Sequence, residues 1–437
     1  MKGAIVFELT PEQARVMDII EGTREHVFVT GRAGTGKSTL LQEFVEQTSK
    51  SLVIGAPTGV AALTVGGQTI HSLFRLPIGL VTDHTKFYPL SDDARVLLRR
   101  IDTVVIDEIS MVRCDLLDGL DRRLRATRGR KNEPFGGVQV VMFGDPYQLP
   151  PVLKDGPEKQ YLMDNYRSPW FFDSKVWGEA QPRVVELTDV KRQDEAEFRD
   201  ILDRMRNGQM TSTDGAVLND IGARRPIPDG TVTLATTNVS ANSINAKALK
   251  ELPGKTKVAR AIIDGDFGGQ LPAEEELELK PGARVMFLRN DSIADGSRWV
   301  NGSVGTVVKV DGAVHVALDT DPSSSVEVQP VQWEKIQYTY DPEANSVEAD
   351  VMATFAQYPL RLAWAVTIHK SQGQTLDSAV LDFGRGAFAN GQAYVAFSRI
   401  RTLDGVFLSR TLQPTDIQVD GRVVDFMRTA KDNDFLD

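Results

Sequence analysis

One cysteine in 437 residues, Cys114, excludes an internal disulfide and any cysteine-cluster metal centre. No apolar run approaches the roughly twenty residues a membrane helix needs, and no signal-peptide pattern is present. The expectation is an intracellular protein without a membrane partner, cytoplasmic or at the nucleoid if bacterial or phage. Positive charge is in deficit: 50 lysines and arginines against 60 aspartates and glutamates leave a net charge of −10. That argues against holding nucleic acid by bulk attraction and leaves only a local basic groove for the purpose. A nuclease is disfavoured, since no additional carboxylate cluster has metal-site spacing. With 41% hydrophobic and 25% charged residues, the chain can bury real cores in roughly two to four domains.

The stretch that is rich in signal is Gly31-Arg32-Ala33-Gly34-Thr35-Gly36-Lys37-Ser38-Thr39. It follows the apolar run Val27-Phe28-Val29 and precedes a helical pattern carrying Leu40, Leu41, Phe44 and Val45. Strand, glycine-rich turn and helix with the spacing G-x-x-x-x-G-K-[ST] form a phosphate cradle. Glycines let successive N–H groups converge on phosphate oxygens, and the helix N-terminus adds positive potential. Lys37 can reach β- and γ-phosphates, and the Ser38 hydroxyl can ligand magnesium. Upstream, Thr10 caps a helix with Pro11 at its first position. Gln13 in its first turn has an amide able to donate to and accept from an adenine edge.

A second apolar strand, Thr103-Val104-Val105-Ile106, delivers Asp107 and Glu108 about 70 residues after the loop. Asp107 can hold magnesium through water, and Glu108 can orient and deprotonate an attacking water. A third strand, 138–143, ends at Gly144-Asp145-Pro146-Tyr147-Gln148, where the Gln148 amide can touch both a γ-phosphate and the water. Another strand end carries Pro57-Thr58-Gly59 and leads to His71, the kind of strand terminus where open α/β sheets bind ligands. Arg122, Arg123, Arg125, Arg128, Arg130 and Lys131 crowd one short stretch and read equally as a solvated helix end or a phosphate-contacting patch. Residues 75–95, with Phe87 and Tyr88, read as a small insertion.

The organisation expected is α/β throughout. Residues 1–183 form the first parallel-sheet domain, and 184–297 with 358–437 form a second that lacks a phosphate loop and closes over the first. Short strands with Asp-Gly, Asp-Pro and Ser turns at 298–357 predict a small β-barrel inserted in the second domain. The acid-rich last 27 residues carry no assigned chemistry.

Taken in order, the phosphate loop, Asp107-Glu108, Gly144-Asp145 with Gln148, Arg192-Gln193, residues 367–373 and residues 394–399 resemble the motifs of a superfamily-one helicase. The block from Asp107-Glu108-Ile109-Ser110-Met111-Val112 through Pro134-Phe135-Gly136-Gly137 to Phe143-Gly144-Asp145 is similar to the Pif (petite integration frequency) branch of 5′-to-3′ DNA helicases, related to RecD. The resemblance spans most of the chain, from Gln13 to about Ser409. It implies two RecA-like domains with an SH3-like barrel, and ATP with magnesium as cofactors. Gln13 would read adenine, and Gly34, Thr35, Gly36, Lys37, Ser38, Thr39 and Gly373 would line the nucleotide. Glu108 would be the catalytic base, Gln148 the γ-phosphate sensor, and Arg192 and Arg399 arginine fingers from the second domain. Single-stranded DNA would cross Pro57, Thr58, Gly59, His71, His369, Lys370 and Ser371, and the insertion around Phe87 and Tyr88 would wedge a duplex junction. The implied partners are single-stranded and forked or tailed duplex DNA, with RNA–DNA hybrid and G-quadruplex as further candidates and a monomer as the working state. Two other readings stay open: a RecD-like subunit active only within a recombination complex, and a nucleotide-switched DNA-binding protein that hydrolyses slowly.

Overall fold

The computed structural model describes residues 9–153, 156–189, 195–267, 271–291, 298–341 and 346–433. The first lobe is built on a six-stranded, all-parallel sheet. Its order is Gln68–Thr69, Leu52–Ala56, Thr103–Ile106, Gln139–Phe143, Val27–Gly31, Arg183–Leu187. The central strands are apolar along their whole length because both faces are covered. Alternate residues serve opposite faces. Val27 and Val29 pack with Leu40 and Phe44 on one side, while Phe28 meets Phe171 and Trp177 on the other. Parallel register aligns Ile54, Val105, Val141 and Val27 in one row and Val29 with Phe143 beyond it, so the loops after these strands open on a common rim at their C-terminal ends.

The second lobe has a four-stranded parallel sheet, ordered Ala365–Thr367, Val232–Ala235, Ala379–Asp382, Val406–Leu408. Between its strands lies a β-rich excursion. Asp321–Val328, Val314–Leu318, Val304–Val310, Arg284–Phe287 and Leu360–Leu362 form one antiparallel sheet, in that order, around Phe287 and Trp299, whose rings stack at 4.5 Å. Val331–Asp341 and Ser346–Gln357 form a long hairpin joined by Ile262–Asp264 in a separate sheet. That hairpin rests on the first lobe. Tyr338 donates to the Gly66 carbonyl at 3.1 Å, Gln68 donates to the Ile336 carbonyl at 2.9 Å, and Arg100 lies over the Tyr340 ring.

Two expected boundaries move. Arg183–Leu187, divided at residue 183 by the sequence reading, pairs along its length with Val27–Gly31 and closes the first sheet. As an edge strand it is only half covered, so its composition resembles the start of something new. The excursion is also wider than 298–357. Arg284–Phe287 is buried on both faces and therefore reads like a parallel strand, although it pairs antiparallel inside the insertion. Finally, the helix Gly421–Asn433 returns from the second lobe to the first. Phe426 stacks on Phe172 at 4.1 Å, Arg422 pairs with Asp173 at 2.6 Å, and the Trp170 indole donates to Asp420 at 2.8 Å. Among the described residues, no helix is long and apolar enough to cross a membrane.

Candidate active site between the two lobes

The glycine-rich loop folds as its composition demands. Gly34 and Gly36 have φ of +89° and +79°, where a side chain is strained. At Gly31 a Cβ would lie 2.6 Å from the Leu187 carbonyl oxygen, and at Gly36 2.5 Å from Gln13 Nε2. The helix Lys37–Gln47 begins at Gly36 with no side-chain cap, the arrangement in which the first N–H groups of a helix can serve an anion in place of a capping hydroxyl. Lys37 Nζ donates to the Gly31 and Arg32 carbonyls at 2.6 and 3.0 Å, and Thr35 Oγ1 donates to Arg32 at 3.0 Å. Ser38 is exposed on the first helical turn, with Thr39 half-buried beside it. Gln13 is buried, and both ends of its amide are engaged. Oε1 accepts the Thr10 N–H at 3.0 Å in a capping box, while Nε2 donates to the carbonyls of Thr35 at 3.3 Å and Gly36 at 3.5 Å. Gln13 thus buttresses the loop in this conformation.

Asp107 and Glu108 follow the strand Thr103–Ile106 directly. Glu108 has φ +50° and ψ 45°, a left-handed conformation that costs a non-glycine residue energy and turns its side chain off the strand line. Burial, then the neighbouring Glu108 charge, pushes the Asp107 carboxyl up to about 7. Glu108 is likewise raised by burial; Lys37 and Arg399 oppose the rise and Asp145 adds to it. Glu108 therefore feels a cation from each lobe. Arg399 itself is fully buried, its guanidinium donating to the carbonyls of Val395 at 3.1 Å and Gln374 at 3.5 Å and to Ser398 Oγ at 2.9 Å. Arg192 lies outside the described residues.

Asp145 is a hub. It is buried, and its Oδ1 accepts from Arg206 and from the Tyr147 N–H, each at 3.2 Å. Its Oδ2 accepts from Gln148 Nε2 at 3.3 Å and from the Tyr394 hydroxyl at 3.4 Å. Gln372 of the second lobe donates to Gln148 Oε1 at 3.3 Å. Arg206, equally buried, also bridges to Glu186 at 2.9 Å and lies 4.2 Å over the Tyr147 ring. Burial works against its charge, but Asp145, Tyr394 and Glu186 outweigh that and hold its pKa above the usual arginine value. Sequence reasoning missed Arg206, and placed Tyr394 at the start of the 394–399 motif without giving it a role. Arg206 falls at the polar end of an amphipathic helix, and Tyr394 reads as one more apolar side chain in a core helix. A charged residue adjoining the core positions Ile201, Leu202 and Met205 was the available signal.

The residues expected on DNA gather at strand ends of both lobes. Pro57, Thr58 and Gly59 follow Leu52–Ala56, half-buried, with Thr58 Oγ1 accepting the Ala61 N–H at 3.2 Å. His71 is half-buried, its pKa lowered by burial and then by Arg113. His369, half-buried, and Lys370 form a turn after Ala365–Thr367; partial desolvation lowers the pKa of each, and for Lys370 the Arg361 charge adds to it. Gly373, at φ +77°, is exposed just beyond. Ser371 does not fit the expectation. It is completely buried, and its hydroxyl donates to the Ile368 carbonyl at 2.8 Å, so it shapes the turn rather than reaching a strand.

The arginines of the basic run are likewise engaged within the first lobe. Arg122 and Arg123 enclose the Phe87 ring at 4.4 and 4.8 Å and donate to the carbonyls of Thr82, Thr85, Phe74, Arg75 and Tyr88. Arg125 pairs with Asp121 and Glu179, Arg128 donates to four carbonyls, and Arg130 pairs with Glu133. Phe87 is thereby packed, and Tyr88, 57% exposed, is the aromatic the insertion presents to solvent.

A phosphate loop, a strand-tip carboxylate pair and a glutamine loop on one parallel-sheet lobe, faced by a second lobe bearing a buried arginine, define a two-lobed nucleoside-triphosphatase. A family profile described as PIF1-like helicase matches residues 8–216. The ATP-dependent DNA helicase Pif1 of Bdellovibrio bacteriovorus is 34% identical over 433 residues, covering 96% of this chain and 92% of that protein. Human ATP-dependent DNA helicase PIF1 is 34% identical over 445 residues, covering 97% of this chain but 64% of the longer human protein. Among solved structures, Bacteroides Pif1 with ADP-AlF4 superposes with a TM-score of 0.90 at 36% identity, covering 98% of each chain. The same protein bound to single-stranded DNA gives 0.70 at 37% identity, again over 98% of each. The chain belongs to the PIF1-like helicase family, and its activity is ATP-dependent unwinding of DNA.

Proposed function

We propose that the chain converts each ATP hydrolysed into a step along single-stranded DNA in the 5′-to-3′ direction, prying apart duplex at a forked or tailed junction. The observation that supports this most is that the second lobe meets the nucleotide-binding elements of the first, Tyr394 at Ala33 of the phosphate loop and Gln372 at Gln148, with Arg399 buried beside them and its charge acting on Glu108. A lobe that holds the triphosphate and a lobe that contributes an arginine can only complete the site together, so closure and hydrolysis are linked. Glu108, its carboxyl raised by burial, is the group to take the proton of the attacking water, with Gln148 orienting that water. Arg399, joined by Arg192, stabilises charge on the transferring phosphoryl group.

The donor set fits magnesium. Ser38 is an exposed hydroxyl and Asp107 a strand-tip carboxylate, and this ion keeps its other positions for water and phosphate oxygens. When bound it would neutralise phosphate charge beside the Asp107–Glu108 pair. DNA lying over Pro57, Thr58, Gly59 and His71 on one lobe and His369 and Lys370 on the other would be gripped alternately as the cleft tightens and relaxes. We place the protein with the chromosome inside the cell, working as a monomer, with RNA–DNA hybrid and G-quadruplex as candidate substrates beside DNA forks.

The test is strand separation with ATP and magnesium on duplexes carrying a 5′ or a 3′ single-stranded tail. Unwinding confined to the 5′-tailed substrate is expected. Preference for the 3′ tail overturns the polarity, and unwinding only after a recombination partner is added favours the subunit reading.

A further inference from the structure

One contact in the cleft joins the lobes through a group that the motif roles do not use. Tyr394 belongs to the helix Gln392–Phe397 of the second lobe, five residues before Arg399, and its ring is buried in the apolar core. Its hydroxyl accepts the backbone N–H of Ala33, within the phosphate loop, at 3.1 Å, and donates to Asp145 Oδ2 at 3.4 Å. A phenol has one proton to give, so this hydroxyl is committed to two first-lobe groups at once. Gly391 makes the approach possible: a Cβ there would lie 2.4 Å from the carbonyl oxygens of both Tyr147 and Gln148.

Asp145 in turn fixes Gln148. The Gln148 amide donates through Nε2 to Oδ2 of Asp145, which leaves Oε1 pointing away as an acceptor, where Gln372 meets it. A carboxylate out of water needs its donors in place to hold one orientation. Arg206 and the Tyr147 N–H hold Oδ1; Tyr394 holds Oδ2 only while the helix Gln392–Phe397 lies against the phosphate loop.

We propose that the Tyr394 hydroxyl is a positioning group for ATP hydrolysis: on closure it seats on Ala33 and Asp145, locks the Asp145 carboxylate, and thereby sets the Gln148 amide in its working orientation. Arg206 completes the lock from the other oxygen. The proposal rests on the ATPase reading of this site and adds to it a sensor of closure that is separate from the arginine finger.

Tyr394→Phe in the full chain removes the hydroxyl and keeps the buried ring. Hydrolysis is measured against ATP concentration with saturating single-stranded DNA, alongside binding of a fluorescent ADP analogue and the melting temperature. The expected result is a fall in kcat of about tenfold, with KM and ADP affinity within about twofold and the melting temperature lowered by only a few degrees. Arg206→Lys keeps one charged donor beside Asp145 but gives up the bridge to Glu186, and should lower kcat as well. Combined with Tyr394→Phe, its effect should be smaller than the product of the two single losses, because both act on one carboxylate. Full kcat in Tyr394→Phe beside an active wild type overturns this proposal alone, as does a loss of kcat that tracks equal losses of nucleotide affinity and melting temperature. A wild type without DNA-stimulated hydrolysis removes the ATPase reading and this proposal with it.

Discussion

Arg399 has two duties that pull apart in a substitution. It is buried just past the helix Gln392–Phe397 and held there by the Val395 carbonyl and the Ser398 hydroxyl, yet its charge acts on Glu108. Arg399→Ala should leave nucleotide binding within a few-fold while lowering DNA-stimulated turnover by roughly 10³-fold or more, the scale of an arginine finger. Arg399→Lys keeps the charge and most of the volume, so its folding should be near normal while turnover stays low. Steady-state kinetics beside equilibrium ADP binding separate the effects; normal turnover in either variant removes the finger role. His26 offers a pH-dependent counterpart far from the chemistry. Burial depresses its pKa from 6.5 to about 4, and its Nδ1 accepts the Val140 N–H at 3.1 Å, which only the neutral ring can do. Between pH 6.5 and 4 the unfolded chain therefore binds a proton that the folded chain refuses, so stability is lost as pH falls through that window, by up to about 3 kcal/mol. Urea unfolding at pH 7 and pH 5 should show the loss, and His26→Gln should flatten it.

At the scale of elements, legibility followed burial symmetry. The phosphate loop, Asp107, Glu108 and Gln148 were readable because each lies at the tip of a strand covered on both faces, and an unbroken apolar run ending in a polar pair is hard to mistake. Arg183–Leu187 escaped because an edge strand shows only partial cover, and Arg284–Phe287 because full cover in an antiparallel insertion looks like full cover in a parallel sheet. Composition equally could not say whether Arg122 and Arg123 meet phosphates or carbonyls; only the fold brings Phe87 and the 74–88 backbone beneath them. The same holds for Ser371, whose hydroxyl is used on the carbonyl three residues back in the turn rather than outward. The long hairpin makes a prediction of its own. Tyr338, pushed up to about 12 by burial, ties it to the first lobe through one hydroxyl on the Gly66 carbonyl. Tyr338→Phe should cost about 1 kcal/mol in that contact and raise amide exchange along residues 331–341 and 346–357 while leaving the two parallel sheets protected. Unchanged exchange in the hairpin would mean that the docking does not depend on this bond.

Across the whole molecule, the lobes are joined by more than the cleft. Tyr394 and Gln372 reach the first lobe near the nucleotide, the hairpin reaches it at Gly66 and Gln68, and the helix Gly421–Asn433 reaches it on the far side of its sheet. A motor that opens and closes needs one of these to act as a pivot that stays fixed while the others exchange. The C-terminal helix has the contacts for that: Phe426 lies against Phe172, Phe171, Trp177 and Phe28, and a charged pair, Arg422 with Asp173, flanks the aromatic patch. Phe426→Ala removes the ring that fills this junction and should cost roughly 2–4 kcal/mol, below or within the range for a buried phenylalanine because Phe426 is only partly covered. Since the lost contacts join two lobes that each have their own sheet, the cost should appear as lost cooperativity. Calorimetry of the wild type is expected to give one transition. In Phe426→Ala the second lobe should separate as an earlier one, with nucleotide raising only the later transition, because the phosphate loop belongs wholly to the first lobe. A single, uniformly lowered transition would show instead that the cleft contacts alone bind the lobes into one cooperative unit.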